Sequence, residues 1–142
     1  MNWTAEIPKL LILGQIQRME AAVGVATGLA HAIVTYPGVE EALADQDFVP
    51  DLVLVLQHSP DEYSPDEVEL LLSKFPASRF SVCLGPWCAS YGRTRRYWPL
   101  AVTVFEDKLA ERLKREAEVI HGIREPLPWS ANWDEVFAFD HS

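Results

Sequence analysis

The stretch Pro50-Asp51-Leu52-Val53-Leu54-Val55-Leu56-Gln57-His58-Ser59-Pro60 decides the fold of this chain. Its centre is an unbroken run of leucine and valine, and polar residues and prolines bound it at both ends. A short run that is apolar on both faces is typical of a buried strand in a parallel sheet. We therefore predict that residues 52–57 form the central strand of an α/β domain. Ligands of such folds bind where strands end, and this strand ends in Leu56 and Gln57, without a carboxylate.

The segments around this strand alternate between strand and helix patterns. Further strands are predicted at 9–14, 32–36, 79–84 and 100–105. Helices are predicted at 15–29, 39–46, 64–75 and 107–121. Such alternation with short connections indicates a parallel sheet with helices on both faces. Five strands of this size fit a flavodoxin-like, three-layer α/β sandwich of strand order 2-1-3-4-5, in which the helix after the fourth strand is short or missing.

Two helices carry clear signals at their ends. Ser64-Pro65-Asp66-Glu67 places a capping serine, a proline at the first helical position and a glutamate at the third. The last predicted helix stops at Gly122, which suits a C-terminal cap. Its Glu111 and Arg115 have the spacing of an i,i+4 ion pair. Its inward side chains are predicted to be Leu109, Leu113, Ala117 and Ile120.

Composition restricts the classes of partner and the location. The 142 residues are 49% apolar and 23% charged. They correspond to one globular domain with a core at about 9–122 and a tail at 123–142. A net charge of −9 argues against nucleic acid and against an anionic membrane surface. No apolar run approaches the ~20 residues of a membrane span. The amino-terminal residues lack a basic signal region, and Cys83 and Cys88 are the only cysteines, so we expect a cytoplasmic protein.

In layout, residues 9–122 resemble a response-regulator receiver domain, and residues 50–60 carry the local match. Receivers precede the third strand with a Pro-Asp pair and end it in a phospho-accepting aspartate four residues before a proline. The matching position in this chain is Leu56, followed by Gln57. The resemblance also implies two acidic magnesium ligands after the first strand, where this chain has Gly14 and Gln15.

The remaining receiver positions differ as well. The resemblance implies a serine or threonine after the fourth strand, where this chain has Leu84-Gly85, and a lysine after the fifth, where it has Phe105-Glu106. Phosphotransfer to an aspartate needs a carboxylate nucleophile and oxygen ligands for magnesium. We therefore interpret the chain as a degenerate receiver, or pseudo-receiver, without catalysis or cofactor. It would serve signal transduction by binding an unidentified protein, with a homodimer as a further expectation.

The segment between the fourth and fifth strands concentrates arginines and aromatics in an acidic chain. The sequence also resembles a group of uncharacterised bacterial proteins with a Trp-Cys loop and a Gly-Arg-Thr…Trp-Pro stretch, here at 87–88 and 92–99, from which no activity follows. Two interpretations stay open: a surface for a partner or an anion at the carboxyl edge of the sheet, or aromatics that cap this edge beside arginines paired with carboxylates. The candidate binding residues are Trp87, Cys88, Arg93, Arg95, Arg96 and Trp98.

Three chemical alternatives involve the two cysteines and His58. Residues 87–90 are similar to the Trp-Cys-x-x-Ser form of thioredoxin-like redox sites, although Gly92 and Pro99 interrupt the helix that lowers the thiol pKa there. Cys83 and Cys88 could begin a zinc site, but the histidines are scattered without ligand spacing. His58 could act as a general base, or it is a hydrogen-bonded turn residue.

The tail from 123 to 142 is too aromatic for disorder on composition. Leaving all of its large aromatic side chains in water would create an apolar patch that needs a partner. These side chains are Trp129, Trp133, Phe137 and Phe139. We expect the tail to fold back on the domain, or to dock on a second copy or another protein.

Overall fold

Five strands form one parallel sheet in the order β2-β1-β3-β4-β5. A computed structural model of the protein describes residues 6–59, 62–85, 98, 102–128 and 130–141. The strands are β1 (Ile7–Leu13), β2 (Ala30–Tyr36), β3 (Leu52–Gln57), β4 (Arg79–Leu84) and β5 (Thr103–Phe105). The predicted α/β, flavodoxin-like architecture and its strand order are confirmed.

The described helices form a layer on each face of the sheet. They are α1 (Glu20–Thr27), α2 (Val39–Ala44), α3 (Pro65–Lys74), α4 (Leu109–Ile120) and α5 (Trp133–His141). Helices α1 and α4 share one apolar core with the sheet, and α2 and α3 share the other. The predicted short or missing helix before β5 falls in 86–101, of which only residue 98 belongs to the described part of the chain.

The central strand β3 has the predicted bounds and supplies both cores. Leu52, Leu54 and Leu56 face the α1 and α4 side, and Val53 and Val55 face the other side. All five side chains are fully buried, and burying each stabilises the fold by roughly 1.5–3 kcal/mol relative to exposure. A strand buried on both faces needs an apolar residue at every position, which is why the run has no alternation.

The predicted start of α3 is confirmed as a complete capping box. The Ser64 hydroxyl oxygen accepts from the Glu67 N–H at 3.2 Å, and the Glu67 carboxylate accepts from the Ser64 N–H at 3.0 Å. Pro65 occupies the first turn, where its missing N–H costs nothing. Val68 and Leu71 then turn toward the α2 and α3 core.

Two local predictions are wrong. The helix predicted at 15–29 is present as α1 over residues 20–27, but its predicted start is wrong. A separate 3-10 turn (Ile16–Arg18) precedes it, because Met19 has a non-helical backbone (φ −140°, ψ 47°) and a buried side chain. In α4, Arg115 pairs at 2.6 Å with Glu118 and not with Glu111. Glu118 is also within 3.5 Å of Arg124, so it lies between two cations. Gly122 has φ +74° and ends α4 as predicted.

The described part of β5 covers Thr103–Phe105 of the predicted 100–105, and residues 100 and 101 lie outside the described residues. A 3-10 turn (Glu106–Lys108) follows at once and leads into α4. The described strand at this edge of the sheet is therefore short.

The tail forms a helix that the sequence interpretation did not assign. Asn132 and Glu135 cap α5 reciprocally: the Glu135 N–H donates to Asn132 Oδ1 at 2.9 Å, and the Asn132 N–H donates to the Glu135 carboxylate at 3.3 Å. This Asn-x-x-Glu spacing was a readable helix-start signal. Helix α5 lies against α4, and the apolar residues of this contact are Val119, Leu127, Ala131, Val136 and Phe139.

Candidate functional site

The carboxyl end of β3, where the receiver resemblance implies a phospho-accepting aspartate, is closed by a tyrosine. Leu56 is fully buried there, and its carbonyl accepts a hydrogen bond from the Tyr63 hydroxyl at 2.8 Å. Tyr63 is itself buried, because it precedes the capped start of α3 and turns into the core. The hydroxyl therefore occupies the space at the end of the central strand.

Gly14, at the end of β1, completes this closure. It has φ +131°, a region that L side chains rarely adopt. A Cβ at this position would lie 2.7 Å from the Leu56 carbonyl oxygen and 2.9 Å from the Tyr63 hydroxyl. The first of the two implied magnesium-ligand positions thus has no room for a carboxylate side chain. The second, Gln15, is exposed and begins the turn that follows.

The electrostatics of this end keep the tyrosine neutral. Burial raises the pKa of the Tyr63 phenol above its ordinary value of 10.0, and the charges of Glu62 and Glu67 raise it further. A neutral phenol keeps the O–H that the Leu56 carbonyl needs. The group is thus suited to a permanent structural hydrogen bond, whereas acid–base work needs a pKa near the operating pH.

Gln57 binds the far end of the predicted binding loop. The Trp98 indole N–H donates to Gln57 Oε1 at 3.0 Å, and Gln57 Nε2 donates to the Ser59 carbonyl at 3.2 Å. Both side chains are buried, and the Trp98 ring packs against Phe80 with centroids 6.4 Å apart. The Gly85 N–H also donates to the Gln57 carbonyl at 2.9 Å. Trp98 is therefore held at the end of β3 by Gln57 and packs against Phe80 of β4.

The structure does not describe the other predicted binding residues. Trp87, Cys88, Arg93, Arg95 and Arg96 lie outside the described residues, so the redox and anion interpretations stay predictions.

The remaining candidate residues, His58, Cys83 and Glu106, lie in different parts of the fold. His58 is half-buried, and its backbone N–H donates to the Glu62 carboxylate at 2.6 Å, as in a hydrogen-bonded turn. Cys83 is buried in the core beneath α4. Glu106 lies in the 3-10 turn before α4. The described ranges contain no group of three or more His, Cys, Asp or Glu placed to hold a metal ion.

A second candidate surface lies on the outer side of α5. Trp133 and Phe137 follow each other by one helical turn and are 58% and 66% exposed. The His141 ring lies one turn further, 4.3 Å from the Phe137 ring between centroids. Phe139 faces the opposite way and is buried, and Trp129 lies outside the described residues. The described part of the tail therefore buries one large aromatic side chain and exposes two.

A buried ion pair holds this helix in place. Arg112 of α4 is 1% exposed, and its guanidinium donates to both carboxylate oxygens of Asp140, at 2.6 and 3.1 Å. It also donates to the Thr103 carbonyl of β5, at 3.2 Å. One turn along α4, the buried Glu116 accepts two bonds from Arg79, at 2.6 and 3.0 Å. Sequence patterning missed both pairs, because charged residues are assigned to the solvent face by default.

No family model matches the chain, and neither a curated protein nor a solved structure matches it. None of the helices in the described ranges is long and apolar enough to cross a membrane.

Proposed function

We propose that the protein is a non-catalytic, receiver-like signalling domain that acts by binding a protein partner. The observation that carries the proposal is the closed carboxyl end of β3. Leu56, at the position of the implied acceptor, offers no nucleophile and is fully buried. The Tyr63 hydroxyl fills the adjacent space and bonds to the Leu56 carbonyl.

The arrangement of carboxylates also favours a role without phosphotransfer. The aspartate next to β3 in sequence, Asp51, lies at the opposite end of the strand, about 16 Å away at the usual rise per residue. Its carboxylate accepts from the Lys9 N–H at 3.1 Å and so helps to start the sheet. An aspartyl phosphate needs its carboxylate beside a cation held by oxygen ligands. Asp51 has instead a structural role.

The aromatic pair on α5 is the described surface best suited to a partner. Trp133 and Phe137 are exposed on a helix that the Arg112–Asp140 ion pair holds against the domain. Large aromatic side chains on a rigid element are frequent hot spots of protein interfaces. The net charge of −9 favours a partner with a basic surface.

The test combines phosphorylation and capture on the same protein. After incubation with acetyl phosphate and magnesium, we expect no gain of a phosphoryl group by intact-mass measurement, whereas an intact receiver processed in parallel is labelled. A hydroxylamine-sensitive phosphate on any aspartate would overturn the non-catalytic assignment.

The capture arm uses the native protein as bait in an extract of the source cells. We expect a specific protein to be retained by the wild type and by Leu70→Ala, but not by the double variant Trp133→Ala, Phe137→Ala. Leu70 is the matched control, because it is an exposed apolar side chain on α3. Equal retention by the double variant would show that α5 is not the contact.

A further inference from the structure

The outer edge of β2 is long and carries no protective side chain. In the described part of the chain, β2 is the first strand of the sheet and pairs only with β1. An edge strand exposes unpaired N–H and C=O groups, which proteins normally guard with lysine, proline or a bulge. The seven residues Ala30–Tyr36 contain no proline and no Asp, Glu, Lys or Arg, and none of them is buried. This edge can therefore accept another strand.

The backbone of β1 shows which β2 groups face outward. The Lys9 N–H and C=O both bond to Asp51, so from Lys9 onward the odd-numbered residues of β1 point their backbone groups toward β3. Even-numbered residues then point to β2, as the bond from the Gly14 N–H to the Tyr36 carbonyl shows at the end of the strand. In the observed register, Val34 bonds inward and the backbone groups of Ile33 and Thr35 lie on the outer edge.

The same region is unusual in charge. The chain carries 12 Lys and Arg and 21 Asp and Glu, yet residues 21–39 contain none of them. This segment includes most of α1, which packs beside β2, and its exposed small residues include Ala21, Gly24 and Gly28. The strand itself is therefore a local exception on an acidic protein, and the carboxylate that the structure places against its far end is Asp45, which accepts a hydrogen bond from the Tyr36 hydroxyl.

We propose that β2 pairs antiparallel with β2 of a second copy, which joins two sheets of five strands into one continuous sheet. A second copy fits better than a basic partner, since a basic protein would be attracted to the acidic surfaces and not to a strand without charged side chains. Two copies that each carry −9 repel each other, and a contact through seven residues without Asp, Glu, Lys or Arg keeps that repulsion small. The outward N–H and C=O groups at alternate residues are complementary to those of their own copy.

The pairing has one preferred register, with the two-fold axis at Ile33. This alignment is the one that sets all seven residues of the strand against the second copy. It places Ile33 opposite Ile33 as a hydrogen-bonded pair, and His31 opposite Thr35 on either side of it. No Asp, Glu, Lys or Arg side chain of β2 meets its own copy. The dimer rests on the proposed function only in that it names one protein partner. Because the β2 contact depends on the geometry of the strand edge, the dimer can form or fail to form whatever the phosphorylation and capture experiments show.

Sedimentation velocity on the full chain tests the proposal. We expect the wild type to form a concentration-dependent dimer. In the variant His31→Glu, Thr35→Glu, like charges face each other across both pairs, so the dimer should weaken about tenfold or more. In the variant His31→Glu, Thr35→Lys, each glutamate faces a lysine, so the dimer should persist. Both positions are exposed, so both variants should keep the wild-type circular dichroism.

A backbone variant gives an independent readout. Thr35→Pro removes an outward N–H without touching the inward bonds of Val34, and it should abolish the dimer. Val49→Lys, at an exposed apolar position outside the sheet, is the control and should leave the dimer intact. A wild type that stays monomeric at every concentration overturns the proposal. So does a dimer that survives Thr35→Pro, or one that fails to distinguish the Glu/Glu variant from the Glu/Lys variant.

Discussion

The two edges of the sheet are built in opposite ways. At the β5 edge the described strand has three residues, and a buried arginine binds the Thr103 carbonyl and locks α5 beside α4. At the β2 edge the strand has seven residues, none of them buried and none of them Asp, Glu, Lys or Arg. One edge is stabilised by charges from elements far along the chain, and the other pairs with no strand beyond β1 in the part of the chain that the structure describes. The difference indicates that the first edge is closed within the monomer, whereas the second is suited to a partner strand.

The largest expected effect lies at the closed edge. Asp140→Ala leaves the buried Arg112 guanidinium without its carboxylate, and breaking a buried pair in this way costs about 3–5 kcal/mol. The free energy of unfolding from urea titration should fall by that amount. The control is Glu69→Ala, which removes an exposed carboxylate from the middle of α3. It should change the free energy of unfolding by at most about 0.5 kcal/mol, as surface substitutions usually do. If Asp140→Ala were as mild as its control, α5 would not be locked by the ion pair.

An intermediate effect is expected between the edges, at the closed end of β3. Tyr63→Phe removes the hydrogen bond to the buried Leu56 carbonyl and should cost about 1 kcal/mol at about pH 8. Because burial raises the pKa of Tyr63 in the folded state, the unfolded chain loses the phenol proton first as the pH rises. The wild type therefore loses this part of its stability above about pH 10.

The measurement is the stability difference between wild type and Tyr63→Phe at about pH 8 and at about pH 10.5. The difference should shrink at the higher pH. Titration of the other tyrosines cancels, since they are the same in both proteins. A difference that grows with pH would mean that the phenol ionises more easily in the folded state, against the closed-site geometry.

The smallest effect is expected at the open edge. Thr35 has an exposed side chain, so Thr35→Glu should have little effect on the isolated monomer. At a concentration where the protein is monomeric, the free energy of unfolding should change by at most about 0.5 kcal/mol. Thermal unfolding at two protein concentrations checks this, because any larger effect should appear only at the higher one. A large loss at the lower concentration would show that β2 is stabilised within the monomer, and the contrast between the edges would disappear.

Much of the fold could be predicted from the sequence, because strands and helix ends are specified by residues close together in the chain. The Leu52–Gln57 run, the Ser64–Glu67 box and Gly122 each depend on residues within a few positions, and the structure has them where the sequence predicts them. Only one part of the candidate site could be predicted from the sequence. The missing carboxylate at Leu56 followed from the receiver resemblance, but Tyr63, which closes the position, lies in the following loop and carried no motif.

The sequence by itself determined the α/β class, the strand order and the absence of a carboxylate at the end of the central strand. Those follow from hydrophobic periodicity and from residue identity. The tertiary structure alone decided that Arg112 and Asp140 are buried together and that Gly14 makes room for a tyrosine hydroxyl. It also decided that, among the described residues, none of the seven residues of the β2 edge strand is buried. The physical reason is that a local sequence pattern does not show whether a charged side chain is buried or whether a strand edge is paired. The desolvation and the partners of each depend on which distant segments pack against it.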